Sequence, residues 1–478
     1  MSSLKEKSVK GIGWIAVEQF GQHGVRFIFG IILARLLTPE DFGLVGMVSV
    51  FFALAMVFVE SGFSSAYIQK KEVDELDANT IFYFNIIVSF FVYLLLWISA
   101  PFIAEFYSEP QLIPLVRVMS IVVIINAFQL IQSANIARNV NFKLRTKAHL
   151  TGVLLGGVLG ITAAYKGFGV WSLVIQSLTR VFIQTVLLWI MSKWWPRLIF
   201  SIRRLKEMFS FSLWILLGMI FQTFFDNIYI LTIGKFFPTA QLGFYTKAKQ
   251  LQRMPTDNIV KAIDGVAFPV LSKFQDDNKQ MVNAIRKFLK NAMFMVASLT
   301  IILIVIAKPF VLLVLTDKWE PMIPLLQLLC VVGLLYPIHS INVRTLLAKK
   351  KSKLNFNISL VKNGLRFLNI VLMYRYSVMH IILGEMIISL LALYINAFYL
   401  KRLTNYGFFD QMKDIYKIIL GSIFALLAGG AIVYTQEINF IMMGIAIIIT
   451  VGVYLFFMYL LEKKLIIEFI GLIKSIRK

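Results

Sequence analysis

The sequence predicts an all-α polytopic membrane protein with about 14 transmembrane helices, on the strength of its apolar stretches, its loop charges and an internal repeat. From Gly11 to Leu461 one apolar stretch follows another. Each has roughly 20 residues, which is enough for a helix to cross a hydrocarbon core about 30 Å thick.

The connections between these stretches alternate between basic and nearly charge-free. A lysine-rich N-terminus is followed by an acidic connection at 38–41, a basic one at Lys70 and Lys71, and an acidic one at 105–109. The alternation continues to the C-terminal tail, which is again basic. Because Lys and Arg are retained in cytoplasmic loops, the pattern predicts that both termini are cytoplasmic.

Composition agrees with a membrane protein and excludes several other classes. Hydrophobic residues make up 59% of the chain and charged residues 15%, whereas a soluble domain has about 25% charged residues. The net charge of +23 is spread over loops that face anionic lipid, so it does not indicate nucleic-acid binding. The single cysteine, Cys330, lies in an apolar run and predicts no disulfide and no cysteine metal site. No phosphate-binding glycine loop or HExxH motif is present, so the sequence predicts neither an enzyme nor a metal or other cofactor.

The chain repeats itself at an offset of about 200 residues, which predicts a duplication. TPEDFGLV (38–45) matches PTAQLGFY (238–245), and QSANIAR (132–138) matches HSINVRT (339–345). A unit of six crossings is even, so the two copies are predicted to be parallel six-helix bundles. The predicted domains are an N-lobe at 1–200 (helices 1–6), a C-lobe at 201–404 (helices 7–12), and residues 405–478, with helices 13–14 and a basic amphipathic tail.

The eighth predicted segment, 241–271, carries more polar residues than a membrane helix tolerates on its lipid side. Five of them fall within an arc of about 80° on a helix: Gln250, Arg253, Asp257, Lys261 and Asp264. One interpretation is a loop that never crosses, but the later loops would then reverse their charge pattern. A second is a set of self-paired structural charges at i,i+4. The third, which we favour, is a charged stripe that lines a transport cavity.

The first and seventh segments show smaller versions of the same pattern. Glu18, Gln22 and Arg26 are spaced i, i+4, i+8 and therefore share one face. Gln222, Asp226 and Asn227 lie at the matching depth in the seventh segment. Glu60, near the cytoplasmic end of the second segment, either belongs to the same site or sits at the membrane interface.

Other intramembrane charges have a simpler explanation. Arg180, Arg344 and Arg366 lie near predicted helix ends, where snorkelling accounts for them. Glu385 lies away from the predicted helix ends, so snorkelling does not account for it.

Two stretches of the first repeat, ARLLTPEDFGLVGM (34–47) and ESGFSSAYIQKK (60–71), resemble the bacterial polysaccharide repeat-unit flippases. These are the Wzx-like, O-antigen and colanic-acid-type exporters of the multidrug/oligosaccharidyl-lipid/polysaccharide superfamily. The similarity covers essentially the full length. GFSSA (62–66) also resembles the corresponding part of lipid II flippases.

The resemblance implies a multi-pass protein of the bacterial cytoplasmic (inner) membrane. Such a protein would move a polyprenyl-diphosphate-linked oligosaccharide to the periplasmic leaflet by alternating access, for O-antigen, capsule or exopolysaccharide synthesis. Its partners would be that glycan, the bilayer, and glycosyltransferases and a polymerase of the same pathway.

The resemblance also implies roles for individual residues. Arg26 and Arg253 match positions at which flippase relatives place cations for the diphosphate, and we assign Lys261 to the same group. Sugar hydroxyls need hydrogen-bonding side chains, which Gln22, Gln222, Asn227 and Gln250 can supply.

Transport without ATP hydrolysis needs an ion gradient or the membrane potential, so coupling to H⁺ or Na⁺ is expected. The candidate coupling carboxylates are Glu18, Asp226, Asp257, Glu60 and Asp264. Asp257 lies between Arg253 and Lys261 on its own face, whereas Glu18 and Asp226 have fewer cations nearby in sequence. We therefore rank Glu18 and Asp226 above Asp257.

Two other functions stay open at this point. A cation-coupled multidrug exporter of the same superfamily tends to have twelve helices and acidic cavity charges, which the extra helix pair and the basic eighth segment oppose. A membrane glycan polymerase or ligase would have large external loops, and the external connections here are short.

Overall fold

The computed structural model describes residues 2–60, Tyr67, 73–138 and 142–476, without the side chains at 2–13, 15–17, 20, 60, 207–215 and 468–476. The described residues are overwhelmingly helical and include no strand, which confirms the all-α class. The GFSSA stretch and the side chains of Glu60 and of the C-terminal tail from residue 468 lie outside the described residues.

Two compact units divide the chain, Met1–Gly243 and Phe244–Lys478. Unit 1 contains these helices: α1 Ser2–Leu36, α2 Pro39–Glu60, α3 Glu75–Tyr107, α4 Leu112–Met119, α5 Ile121–Arg138, α6 Phe142–Tyr165, α7 Trp171–Ser192 and α8 Ile202–Phe236. Helix α9, Thr239–Lys273, starts in unit 1 and continues in unit 2. Helix α8 is therefore grouped with unit 1, and the lobe boundary drawn at residue 200 from the repeat stays a prediction.

Unit 2 continues from α9 to the C-terminus. Its remaining helices are α10 Asn278–Phe310, a π-helical turn Val311–Leu315, a 3₁₀ turn Asp317–Trp319, α11 Met322–Leu334, α12 Tyr336–Ala348, α13 Ser352–Met373, α14 Val378–Thr404, α15 Phe408–Thr435 and α16 Phe440–Ile476.

Short polar side chains start several of these helices by satisfying backbone N–H groups that have no partner inside the helix. Asp74 accepts from the backbone N–H of Asp77 at 2.8 Å, and Asp77 bonds back to the N–H of Asp74 at 3.4 Å. This reciprocal pair is a capping box at the start of α3. Ser201 and Asp277 accept from the third residue of α8 and α10 in the same way.

Eleven helical segments among the described residues are long and apolar enough to cross a membrane. The three predicted segments outside this set are α1, α9 and α13, which carry many polar residues. Helix α9 is nevertheless one continuous helix of 35 residues, long enough at 1.5 Å per residue to cross the bilayer. The predicted number of about 14 crossings is therefore consistent with the helix lengths, and it stays a prediction.

The internal repeat is visible in the helix boundaries. Helices α2 and α9 begin at matching positions, Pro39 and Thr239. EPQLIPL (109–115) matches EPMIPL (320–325), and each leads into a helix that is interrupted once, between α4 and α5 in unit 1 and between α11 and α12 in unit 2. The first piece has eight residues in unit 1 and thirteen in unit 2, so the two interruptions are similar but not identical.

The matching glycines of the repeat, Gly43 and Gly243, lie where the first turns of α2 and α9 cross within unit 1. A Cβ atom on Gly43 would collide with the carbonyl oxygen of Thr239, and one on Gly243 with the carbonyl oxygen of Pro39. Both obstacles are backbone atoms, so neither can rotate away. The two glycines allow the helix ends to approach closely.

We therefore expect Gly43→Ala or Gly243→Ala to destabilise the protein by about 1–3 kcal/mol, as overpacking does elsewhere. Thermal unfolding of the purified protein measures this. Gly24→Ala and Gly218→Ala are matched controls, because no atom lies within 4 Å of a Cβ at either position. Equal unfolding temperatures for all four variants would show that the crossing is not tight.

The last two helices are tied to unit 2 by buried polar contacts. Asn342 of α12 and Gln411 of α15 exchange two amide hydrogen bonds of 3.1 and 2.9 Å, and both residues are buried. Helix α16 is kinked at Glu462. The Glu462 carboxylate pairs with Lys290 at 3.2 Å and Lys417 at 3.5 Å. Lys417 also donates to the carbonyl oxygen of Leu461, which satisfies an acceptor at the kink.

Candidate functional site

The polar face of α1 forms a continuous ladder of hydrogen bonds. The side-chain amide of Gln22 donates to Glu18 at 3.5 Å, and the guanidinium of Arg26 donates to the Gln22 side-chain oxygen at 2.9 Å. The shared face predicted from the i, i+4, i+8 spacing is thus present, and Gln22 joins the acidic end of the ladder to its basic end.

Helix α6 supplies an arginine and a histidine to the acidic end. Arg145 pairs with Glu18 through Nε at 3.1 Å, and His149 contacts the other carboxylate oxygen through Nδ1 at 2.8 Å. The hydroxyl of Thr146 lies 3.4 Å from the same carboxylate. Glu18 is only 5% exposed, so the carboxylate has exchanged water for these partners. Few cations lie near Glu18 in sequence, but Arg145 and His149 reach it from a distant part of the chain.

Glycines on α6 let the neighbouring helices approach this site. A Cβ on Gly157 would collide with the ring of Phe29 on α1, and a Cβ on Gly156 would lie 3.0 Å from the Cβ of Arg180 on α7. These close approaches bring polar residues of α1 and α7 against the same helix. Small residues serve the same purpose in membrane helix packing generally.

The basic end of the ladder meets a second arginine. Arg180 of α7 is half-buried, and its charge lies close enough to Arg26 for the two to interact. Neither guanidinium pairs with a carboxylate among the described residues, and the Nε of Arg26 is buried without a described acceptor. Two neighbouring guanidinium groups without a counter-ion form a site for an anion, since their forked donors match phosphate and carboxylate oxygens.

The polar residues of α8 do not join this ladder. Gln222 and Asp226 are exposed, and the Asn227 amide donates to the backbone carbonyl of Thr223 at 2.8 Å. Asp226 makes no ion pair with a described residue, so its carboxylate is available for a proton or a cation.

The charged stripe of α9 is open rather than self-paired. Gln250, Arg253 and Lys261 are exposed and Asp257 is half-buried. No ion pair joins Arg253 or Lys261 to Asp257 among the described side chains, so the interpretation of i,i+4 neutralisation is wrong. The roles assigned to these residues stay predictions.

Asp264, at the end of the stripe, has partners from α12. The hydroxyl of Ser340 contacts both carboxylate oxygens at 2.6 and 2.7 Å, and Arg344 pairs with one of them at 3.0 Å. Arg344 is thus held by a carboxylate within unit 2, so snorkelling is not needed to explain it. Asp264 is less available for coupling than Asp226.

Sequence reasoning missed Arg145 and His149 and explained Arg180 as a residue that snorkels. Arg145 and His149 are spaced i,i+4, a spacing that places them on one face of α6, and this was the available signal. Their relation to Glu18 depends on how α1 packs against α6. Among the described residues no group of three or more His, Cys, Asp or Glu side chains could hold a metal ion.

Residues 32–324 match the protein family described as "Polysaccharide biosynthesis protein". The chain belongs to this polysaccharide biosynthesis family. Named polysaccharide biosynthesis and transport proteins, a Wzx protein among them, are similar to this chain over most of their length, so the resemblance to Wzx-like proteins is confirmed.

The lipopolysaccharide biosynthesis protein WzxC of Escherichia coli is 25% identical over 365 residues, which cover 76% of this chain and 74% of WzxC. The succinoglycan biosynthesis transport protein ExoT of Rhizobium meliloti is 24% identical over 329 residues, or 69% of this chain and 67% of ExoT. In structure, the chain resembles the lipid II flippase MurJ in an inward closed conformation, with a TM-score of 0.77 and 16% identity over 94% of this chain and 99% of MurJ. That likeness shows a MurJ-like fold.

Proposed function

We propose that this protein is a flippase that moves a polyprenyl-diphosphate-linked oligosaccharide repeat unit from the cytoplasmic to the periplasmic leaflet of the bacterial cytoplasmic membrane by alternating access. The arginine pair Arg26 and Arg180 carries the proposal. A diphosphate is the part of such a substrate that is most costly to bring into hydrocarbon. Guanidinium groups fixed in a polar interior offset that cost.

Membership of the polysaccharide biosynthesis family supports this choice of substrate. The relative ExoT is named as a succinoglycan biosynthesis transport protein, and MurJ, whose fold this chain shares, is named as a lipid II flippase. Among the described residues no carboxylate pairs with Arg26 or Arg180, which opposes a purely structural role, because structural intramembrane cations are usually paired.

The ladder on α1 suggests how the substrate and the driving ion use one helix. The diphosphate binds at the Arg26 end of the ladder. Gln22 links the two ends, because it accepts a hydrogen bond from Arg26 and donates one to Glu18. The Glu18 carboxylate, which lies 2.8 Å from the His149 ring, is the first candidate for coupling. Asp226, which has no described ion-pair partner, is the second candidate for coupling.

Reconstitution tests the proposed function. The full-length protein is placed in vesicles that contain a fluorescent polyprenyl-diphosphate oligosaccharide, and a membrane-impermeant reagent quenches the outer leaflet. We expect the protein to make the inner-leaflet lipid accessible, with an imposed gradient speeding the exchange. A single-chain phospholipid probe without a diphosphate serves as the control substrate. If both lipids exchange at the same rate, or if neither exchanges, the protein is not a flippase for polyprenyl-diphosphate-linked oligosaccharides.

We further propose the topology with both termini in the cytoplasm, which the charge alternation supports. Reporter fusions after Lys70, Lys143 and Lys350 should all report a cytoplasmic location. A periplasmic signal at any one of them contradicts the scheme.

A further inference from the structure

Helix α13 carries two cations on the side that faces protein rather than lipid. Lys362 and Arg366 are spaced i,i+4 and are both half-buried, and Asn363 and Asn369 are buried near them. The exposed side of the helix is apolar: Phe356, Leu360, Val361, Phe367, Leu368, Val371 and Leu372. Lys362 lies near the middle of the 22-residue helix, so its Cα atom is about 15 Å, or ten residues, along the axis from the start of the helix.

These two cations lack the carboxylate partner that two other half-buried cations of unit 2 have. Arg344 pairs with Asp264, and Lys290 pairs with Glu462. Arg366 donates to the side-chain oxygen of Asn363 at 3.4 Å, and among the described residues no carboxylate pairs with Arg366 or with Lys362. Two like charges one helical turn apart repel each other, and an intervening anion would remove that repulsion.

Polar groups from two other helices converge on the same place. Lys362 and Arg366 both act electrostatically on His339 of α12. The His339 ring lies 3.0 Å from the Ser389 hydroxyl through Nε2 and 3.4 Å from the Asn396 amide through Nδ1. Asn396 is fully buried, and its side-chain oxygen has no hydrogen-bond partner among the described residues. The site is therefore built from three helices and has unused hydrogen-bonding capacity.

The internal repeat shows that unit 2 has these charges at positions where unit 1 has glycine. Aligning the Lys-Leu pairs at 143–144 and 353–354 places Gly152 and Gly156 opposite Lys362 and Arg366. In unit 1 those glycines pack directly against α7, the helix that carries Arg180. Unit 1 thus uses the positions for close packing and brings its guanidinium from α7, whereas unit 2 places cations on α13 itself.

We propose that Lys362, Arg366 and His339 form a second anion-binding site, contained within unit 2, for a carboxylate or phosphate group. The occupant is either an acidic substituent of the transported glycan or a free anion of the same chemistry. The site stands on its own geometry, and only its use by the glycan rests on the proposed function.

Thermal unfolding of the full-length protein tests binding directly, with inorganic phosphate and glucuronate as probes at constant ionic strength. Because a ligand of the folded state stabilises it, each probe should raise the unfolding temperature of the wild type by a few degrees and then saturate. The rise should be smaller in K362Q/R366Q. It should be unchanged in K353Q, an exposed lysine on the same helix. The charge-preserving K362R/R366K variant should keep the rise, which separates loss of the site from loss of folding.

An equal rise in K362Q/R366Q and wild type, or no rise in the wild type, overturns the site. A second measurement, made in cells, identifies the source of the anion by comparing export of repeat units with and without a uronic acid. If K362Q/R366Q lowers export of the acidic unit tenfold more than that of the neutral one, the occupant is the glycan. If binding is lost but both exports are unchanged, the occupant is a free anion. Failure of the flippase proposal would appear as no export by the wild type, while the thermal result would stand.

Discussion

Replacing Arg26 or Arg180 with alanine is expected to lower glycan export by about 10- to 150-fold while the protein still reaches the membrane. Hydrogen bonds to a charged group contribute about 1.5–3 kcal/mol each, which corresponds to that range of rate or affinity. Because the charges of Arg26 and Arg180 lie close enough to interact and neither has a described carboxylate partner, each substitution is expected to weaken substrate binding without leaving a buried acid unpaired. Export is measured as surface polysaccharide in a strain that lacks its own flippase.

Lysine at either position should restore export only in part, because an ammonium group lacks the planar fork that bonds two phosphate oxygens. The control is Arg375→Ala, an exposed arginine whose described contact is its neighbour Tyr374, and it should export normally. Arg253→Ala belongs in the same series, because Arg253 is exposed on α9 and is predicted to bind diphosphate. If alanine at both Arg26 and Arg180 exports at the wild-type rate, the diphosphate binds elsewhere.

Replacing Glu18 with alanine is expected to destabilise the protein by about 3 kcal/mol, near the lower end of what breaking a buried ion pair costs. The cause is Arg145, whose side chain is 29% exposed and loses the carboxylate at 3.1 Å. Thermal or denaturant unfolding in detergent measures the change. Glu75→Ala is the comparison, because its pair with Arg197 is exposed on both sides and should contribute at most about 1 kcal/mol.

A double-mutant cycle separates the ion pair from local packing. Glu18→Gln with Arg145→Gln should recover part of the stability lost in each single variant, since neither charge is then left unpaired. Strict additivity of the two losses would mean that the pair contributes nothing.

Substitutions at Glu18 and Asp226 test whether transport is coupled to an ion gradient. Glu18→Gln or Asp226→Asn should slow transport in vesicles and weaken its dependence on a pH or Na⁺ gradient. Asp276→Asn, an exposed loop residue, should leave that dependence unchanged. Replacing His149 with Gln should reproduce the effect of Glu18→Gln if the two groups share the proton, since their side chains lie 2.8 Å apart. Wild-type gradient dependence in both carboxylate variants would place coupling elsewhere.

Contacts that follow helical periodicity could be predicted, and contacts that join distant parts of the chain could not. The shared face of Glu18, Gln22 and Arg26 follows from 3.6 residues per turn, and these residues are hydrogen-bonded in sequence order. The same rule placed Arg253, Asp257 and Lys261 on one face but wrongly suggested that they pair. Spacing permits an i,i+4 ion pair, whereas side-chain rotamers and neighbouring helices decide whether it forms.

The environment of a buried charge was the main quantity that sequence could not supply. Glu18 looked isolated because its partners, Arg145 and His149, lie more than 120 residues away. Arg344 and Arg366 looked alike, near helix ends, yet Arg344 pairs with Asp264 and Arg366 has no described carboxylate partner. Electrostatic energy depends on distance and local dielectric, and neither can be read from position in the chain.

The sequence by itself determined that this protein is an all-helical membrane protein with a duplicated unit, because helix length, loop charge and repeat spacing are properties of one segment at a time. It also determined which face of α1 is polar. Only the tertiary structure decided which charges are paired. Packing of α6 against α1 neutralises Glu18, while packing of α7 brings Arg180 to Arg26 without a described counter-ion. The physical reason is that close helix packing at glycines such as Gly156 and Gly157 sets the distances between charges on different segments.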